Sequence, residues 1–327
     1  MMDRRMFLGT LVGGPIAAPL AAGAQQAAHM PRIGFLGANS ASSWASRVQA
    51  FRTSLRDLGY EEGKNIVIEF RWAEAKYSRL PELAAALVHL KIDVLVTYGT
   101  PGTLSAKRAT TTIPIVMVHS GDAVAAGIVT DLARPGGNVT GSTFFLPQLM
   151  AKRLELLKTA LPHITRAGVL VKPDNPFSEP ALRALETAAN SLQVKLLPFE
   201  ARGSSEFEIV FSEMATRRVQ AVVILEDAVF VSSAKGIADL ASRYRLPSAG
   251  FNEFAAAGGL IGYGVDFLAM YRRAAVFVDK ILKGAKPADI PVEQATRFEF
   301  GINLKNAKAL GLTIPSSLLQ RADQVID

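Results

Sequence analysis

Asp93-Val94-Leu95-Val96-Thr97 is a short apolar run, followed at once by Tyr98-Gly99-Thr100-Pro101-Gly102-Thr103. The run has the length and the branched side chains of a strand, and the glycines and hydroxyls after it are turn chemistry. Pro101 to Arg108 then reads as a helix. Strand, small-residue loop and helix in this order make half of a βαβ unit, and the same order recurs on both sides of it.

Upstream, Ile33 to Gly37 predicts a buried strand. Trp44 to Leu58 predicts a helix, with Val48, Phe51, Leu55 and Leu58 at helical spacing and Gly59 as its stop. Ile66 to Trp72 alternates as a half-exposed strand does, and Leu80 to Leu90 is a helix with Pro81 in its first turn. Downstream, Ile115 to Val118 is a strand. The turn cluster Arg134-Pro135-Gly136-Gly137-Asn138 and the segment Val139 to Phe145 then lead into a second half. There the alternation restarts. Helices are expected over 149–161, 178–192, 206–217, 232–244, 267–282 and 304–310, and strands over 166–171, 194–199, 221–225, 247–250, 260–264 and 297–302. The fold class is α/β: two doubly wound, Rossmann-like lobes with a cleft between the carboxyl ends of their strands, where such sheets bind ligands.

The chain has 327 residues, 49% hydrophobic and 20% charged, which suits two globular domains and excludes a disordered chain. Its formal charge of +7 is scattered, with no basic run or recognition motif, so a solvated surface is expected and no nucleic-acid partner. There is no cysteine, which excludes disulfides, thiolate metal sites, a cysteine nucleophile and a lipid-modified cysteine. The first residues read as a leader. Arg4 and Arg5 precede Phe7-Leu8, an uncharged stretch follows from Leu11 to Ala22, and Ala22-Gly23-Ala24 has the form of a cleavage site. The expectation is export by a signal peptide over 1–24, with the paired arginines suggesting the twin-arginine route and the general route left open. A soluble periplasmic protein without a lipid anchor follows.

Enzyme signatures are missing. There is no Gly-x-Ser-x-Gly elbow, no phosphate loop and no dinucleotide fingerprint, and His29, His89, His119 and His163 lack metal spacing. No catalytic residue, metal or cofactor is assigned. The candidate binding residues stand at strand ends. Ser42 and Ser43 lie before one helix, with Trp44 beside them; Thr97, Gly99 and Thr100 lie before another. Free N–H groups at such helix starts suit a carboxylate, although Ser and Thr cap helices everywhere. Asp122, Asn175 and the pair Glu226-Asp227 follow other strands, and an acidic side chain there would meet a ligand ammonium or simply cap a helix. Phe251 and Tyr263 are candidates to stack on an aromatic ligand.

Several segments together give the chain a family resemblance. They include Leu58-Gly59-Tyr60 with Gly63-Lys64-Asn65-Ile66, Glu69 to Glu74, Ile113-Pro114-Ile115-Val116, and Leu132 to Asn138 with Thr140-Gly141. Further on come Tyr263-Gly264, Ile281 to Gly284 with Pro287, Asn303-Leu304-Lys305, Ala309-Leu310-Gly311 and Arg321-Ala322-Asp323. In order and spacing the chain resembles the TrpX-type ABC transporter substrate-binding proteins from Pro31 to about Asp327. The resemblance implies a type I periplasmic-binding fold, with lobes over 31–142 plus 266–290 and over 143–265 plus 291–327. It also implies a monomer that captures a small anionic or zwitterionic solute, amino-acid-like and in some relatives aromatic, and delivers it to an ABC permease. One departure stands out: where the family usually reads Asp-Pro-Val, this chain has Asp122-Ala123-Val124. Two rivals share the fold, a secreted two-lobed enzyme and a ligand-sensing domain, and fold alone does not separate them.

Overall fold

The computed structural model describes residues 30–327. The leader expected over 1–24 lies outside them. The first sheet begins with β1 (Arg32–Gly37), α1 (Ala45–Asp57), β2 (Val67–Trp72), α2 (Leu80–His89), β3 (Val94–Thr97), α3 (Gly99–Ala109), β4 (Ile115–Met117) and β5 (Val139–Thr143). The second half follows with α4 (Leu146–Ala160), β6 (Arg166–Val171), α5 (Ser178–Ser191), β7 (Lys195–Glu200), α6 (Ser204–Thr216) and β8 (Ala221–Ile224). It continues with α7 (Ala228–Ser232), α8 (Ala234–Arg243), β9 (Ser248–Gly250) and β10 (Ile261–Val265). The chain ends with α9 (Phe267–Leu282), β11 (Glu293–Gln294), β12 (Phe298–Asn303), α10 (Leu304–Leu310), α11 (Ser316–Leu319) and β13 (Gln324–Ile326).

Two sheets result. The first has six strands in the order β11-β5-β4-β3-β1-β2, all parallel. The second has seven in the order β13-β12-β10-β9-β8-β6-β7, parallel except where β10 meets β12. Strands inside a parallel sheet are covered on both faces and must be apolar throughout. β3, β4 and β8 are buried at every position, whereas β2 and β7, at the sheet edges, are half-exposed. The fold class is therefore two doubly wound α/β lobes.

The chain passes between the sheets three times, at 143–146, 265–267 and 294–298. After the second passage α9 packs on α1 and on β3, β4 and β5, so it belongs to the first lobe. Glu293 and Gln294 pair with Ser142 and Thr143, so the first lobe extends past 290, the limit expected from the sequence. A two-residue strand is too short to carry a pattern of its own; backbone pairing alone makes it.

Two glycines meet real constraints. Gly141 has φ +134°, and a Cβ there would lie 1.9 Å from the Met117 carbonyl oxygen, so β5 approaches β4 only without a side chain. Gly99 has φ +72° and turns the end of β3 directly into α3. As a result α3 begins two residues earlier than the proline predicted.

Candidate functional site

A cavity with about 530 Å³ of non-atom space lies between the lobes. The first lobe gives it an aromatic wall. Trp44, just before α1, is 1% exposed and stacks on Tyr98 with centroids 4.8 Å apart and planes 9° from parallel. Its Nε1 donates to the Tyr271 hydroxyl at 2.6 Å, which fixes the indole. Arg47 lies over the other parts of this cluster, 4.4 Å from the Trp44 ring centroid. His119 and Phe267 add further rings to the same wall, and Phe144 lies at the first passage between the lobes. The Thr100 N–H sits in the first turn of α3, where no intrahelical acceptor exists.

The second lobe gives the cavity a charged wall. Asp227 caps α7: its Oδ1 accepts from Val229 N at 2.8 Å, and its Oδ2 accepts from Asn175 Nδ2 at 3.0 Å. Burial raises its carboxyl above the usual range, against the pull of these donors and of Lys172. Glu226, next to it, pairs with the fully buried Arg153, which also donates from Nε to the Tyr263 carbonyl at 2.8 Å. Burial raises Glu226 as well, opposed chiefly by Arg153. One Glu226 oxygen, Oε1, is buried without any hydrogen-bond partner. A carboxylate that is half satisfied and lines a cavity is a built receptor for a cationic donor.

The walls are bonded to each other. The Tyr77 hydroxyl, on the first lobe, donates to Asp227 at 2.9 Å. Lys172, on the second, lies 4.6 Å from the Tyr77 ring centroid. Asn39 Nδ2 donates to the Ala228 carbonyl and the Ser232 hydroxyl, both at 2.9 Å, and Arg47 pairs with Glu253 across the gap. Asn39 and Tyr98 also bond each other, so the latch and the aromatic wall share residues.

Of the candidates from the sequence, Trp44, Gly99, Thr100, Asn175, Glu226 and Asp227 line this cavity. The others do not. Ser42 and Ser43 are exposed and satisfied around Ser40, because α1 starts beyond them and turns the hydroxyls to solvent. The Thr97 hydroxyl is spent inside its own sheet on the Leu36 carbonyl at 3.1 Å. Asp122 closes a local turn, accepting from Val124 N and Ala125 N. Phe251 is fully buried against Phe254, away from the cavity. Tyr263 stacks on Phe298 and reaches the site only through its carbonyl on Arg153. Tyr77, Tyr98, Phe144, Phe177 and Phe267 were not singled out from the sequence; nothing but tertiary position separates them from core aromatics. The Asp122-Ala123 departure has a structural use: Ala123 N donates to Thr143 Oγ1 at 3.1 Å, at the first passage between lobes, a bond that proline lacks the hydrogen to make.

Among the described residues no group of three or more His, Asp or Glu could hold a metal ion, and no helix is long and apolar enough to cross a membrane.

Comparison with known proteins agrees with this geometry. A family model described as "ABC transporter substrate binding protein" matches residues 36–326. A tyrosine-binding protein of Clostridioides difficile is 29% identical over 265 residues, 81% of this chain and 76% of the relative. An ABC domain from Streptococcus pneumonia, solved in complex with L-Trp, superposes with a TM-score of 0.83 at 27% identity, covering 90% of this chain and 99% of that one. The ligand-free, open structure of a substrate-binding protein with adhesive properties from Clostridium difficile has the same coverage at 25% identity, but a TM-score of 0.63.

Proposed function

The chain belongs to the ABC transporter substrate-binding protein family, and from that premise we propose that it captures an aromatic L-amino acid for import. The observation that carries the proposal is the pairing of an aromatic wall with the unsatisfied buried oxygen of Glu226 across one cavity. The ammonium of the amino acid bonds Glu226 and Asp227. Its carboxylate takes the Thr100 N–H at the start of α3, where the helix dipole also favours an anion. Its ring lies among Trp44, Tyr98 and Phe267. The names of the relatives, a tyrosine-binding protein and an L-Trp complex, support the same class of cargo.

Capture works by closing the lobes. The present arrangement carries bonds across the cleft, and it superposes better on the L-Trp complex than on the open, ligand-free neighbour at nearly equal identity. In our reading the lobes part at the three passages, admit the solute, and shut again on Tyr77–Asp227 and Asn39–Ala228. The protein binds without turning over its cargo and needs no cofactor. It acts as a monomer in the periplasm after removal of the leader, and the closed form delivers its cargo to a permease of the inner membrane. A ligand present at about 100 times its dissociation constant adds about 2.7 kcal/mol of stability. A thermal-shift panel of amino acids, sugars and aromatic acids is expected to respond to tryptophan or tyrosine. A response confined to sugars, or none at all, overturns the proposal.

A further inference from the structure

His119, which follows β4, does nothing in the binding scheme above. It is 7% exposed and lines the cavity. Rings enclose it: Phe267 at 4.9 Å between centroids, Tyr98 at 5.9 Å, Phe144 at 6.0 Å and Tyr271 at 6.2 Å. Its Nε2 is sealed and unpartnered, and no described residue hydrogen-bonds either ring nitrogen. Burial, with a smaller push from the nearby Arg47 charge, lowers its pKa to about 3, so the ring is neutral in ordinary buffers.

A neutral imidazole carries one donor and one acceptor, and a buried polar atom without a partner is costly. A position that only filled a core would hold an apolar side chain, as Phe144 and Phe267 beside it do. The charged groups that receive an ammonium stand on the opposite wall, which turns the ring of the cargo toward His119. We infer that His119 is a specificity-determining residue: it hydrogen-bonds a polar group carried on the ring of the cargo, an indole N–H or a phenol O–H, and selects against a ring that is only hydrocarbon. The inference rests on the proposed aromatic amino-acid site. It adds which rings that site accepts.

The test uses two near-isosteric pairs, L-tyrosine with L-phenylalanine and L-tryptophan with L-3-benzothienylalanine, titrated calorimetrically into the wild type, His119→Phe and His119→Gln. In the wild type the polar member of whichever pair binds should be at least about tenfold tighter, since a site built around a hydrogen bond penalises a ligand that leaves it unmade. His119→Phe should bring the two members within about twofold of each other, mainly by tightening the hydrocarbon member, a change that a packing defect does not produce. His119→Gln, which keeps a donor and an acceptor, should retain most of the preference. Equal affinities in the wild type, or the same preference in His119→Phe, overturn the inference and leave the amino-acid site standing. Failure of all four compounds to bind overturns both.

Discussion

The two walls of the cleft are built by opposite means. The first-lobe wall is made of stacked rings, held by packing, by the Trp44–Tyr271 bond and by Arg47 over Trp44. The second-lobe wall is made of carboxylates that burial pushes toward neutrality and that Arg153, Asn175 and Val229 hold in place. The contrast separates two jobs. Rings give a ligand area and shape at little cost, because aromatic surface gains by burial. Buried charge is unfavourable by itself, and a buried pair such as Glu226–Arg153 that leaves one oxygen unbonded gains from a further donor. Apart from His119, the rings of the first wall are complete without a ligand, whereas Glu226 Oε1 on the second still lacks a partner.

Breaking the finished wall should be the most destabilising change. Trp44→Ala removes a fully buried ring from the stack and is expected to cost about 3–5 kcal/mol in urea unfolding, liganded or not. Removing the latch should act on affinity more than on folding. Tyr77→Phe deletes one donor to Asp227 and keeps the ring over which Lys172 lies, so it should weaken ligand binding about tenfold by calorimetry and shift small-angle scattering of the free protein toward an open form.

The charged wall also makes a pH prediction of definite sign. Glu226 and Asp227 have raised pKa values in the fold, so the folded chain holds protons that the unfolded chain releases. Their contribution to the stability of the free protein is unaffected below the ordinary carboxyl pKa and declines as pH climbs from there to the raised values. An ammonium ligand needs the ionised forms. Affinity should therefore move the other way, falling as pH drops through the same window by up to about tenfold per unit for each proton taken up. Calorimetry between about pH 5 and about pH 8 checks the slope. The smallest expected effect concerns the passage that joins the walls. Ala123→Pro restores the family's usual residue but deletes the bond to Thr143, at a cost of about 1 kcal/mol read from the urea midpoint.

Much of the fold was legible because burial dictates the pattern. Val94 to Val96 and Ala221 to Ile224 are apolar throughout since helices cover both faces, and Gly311, in the left-handed conformation, ends α10 where the motif stops. α7 was missed because its one turn, Ala228 to Ser232, is almost entirely apolar; the Asp227 cap sets it apart from the helix that follows. β11 and β13 are too short to show any alternation. The site was legible only where a strand end faces the cleft, as at Gly99, Thr100, Asn175 and Asp227. Ser42 and Ser43 stand at an equally plausible strand end, yet they turn outward. Tyr77, in a turn before α2, and Phe267, opening α9 across the second passage, come from places that pattern does not tie to the cleft. Only the way the lobes face each other brings them together.

In the proposed site the charged wall stays incomplete until an ammonium enters. Calorimetric comparison of L-tryptophan with indole-3-propionate, the same molecule without its amino group, tests it directly in the wild type and in Glu226→Gln. The wild type should bind tryptophan at least about a hundredfold more tightly, the scale expected for a buried charge pair, and Glu226→Gln should remove most of that gap. Equal binding of the two compounds by the wild type, or a gap that survives Glu226→Gln, would contradict it.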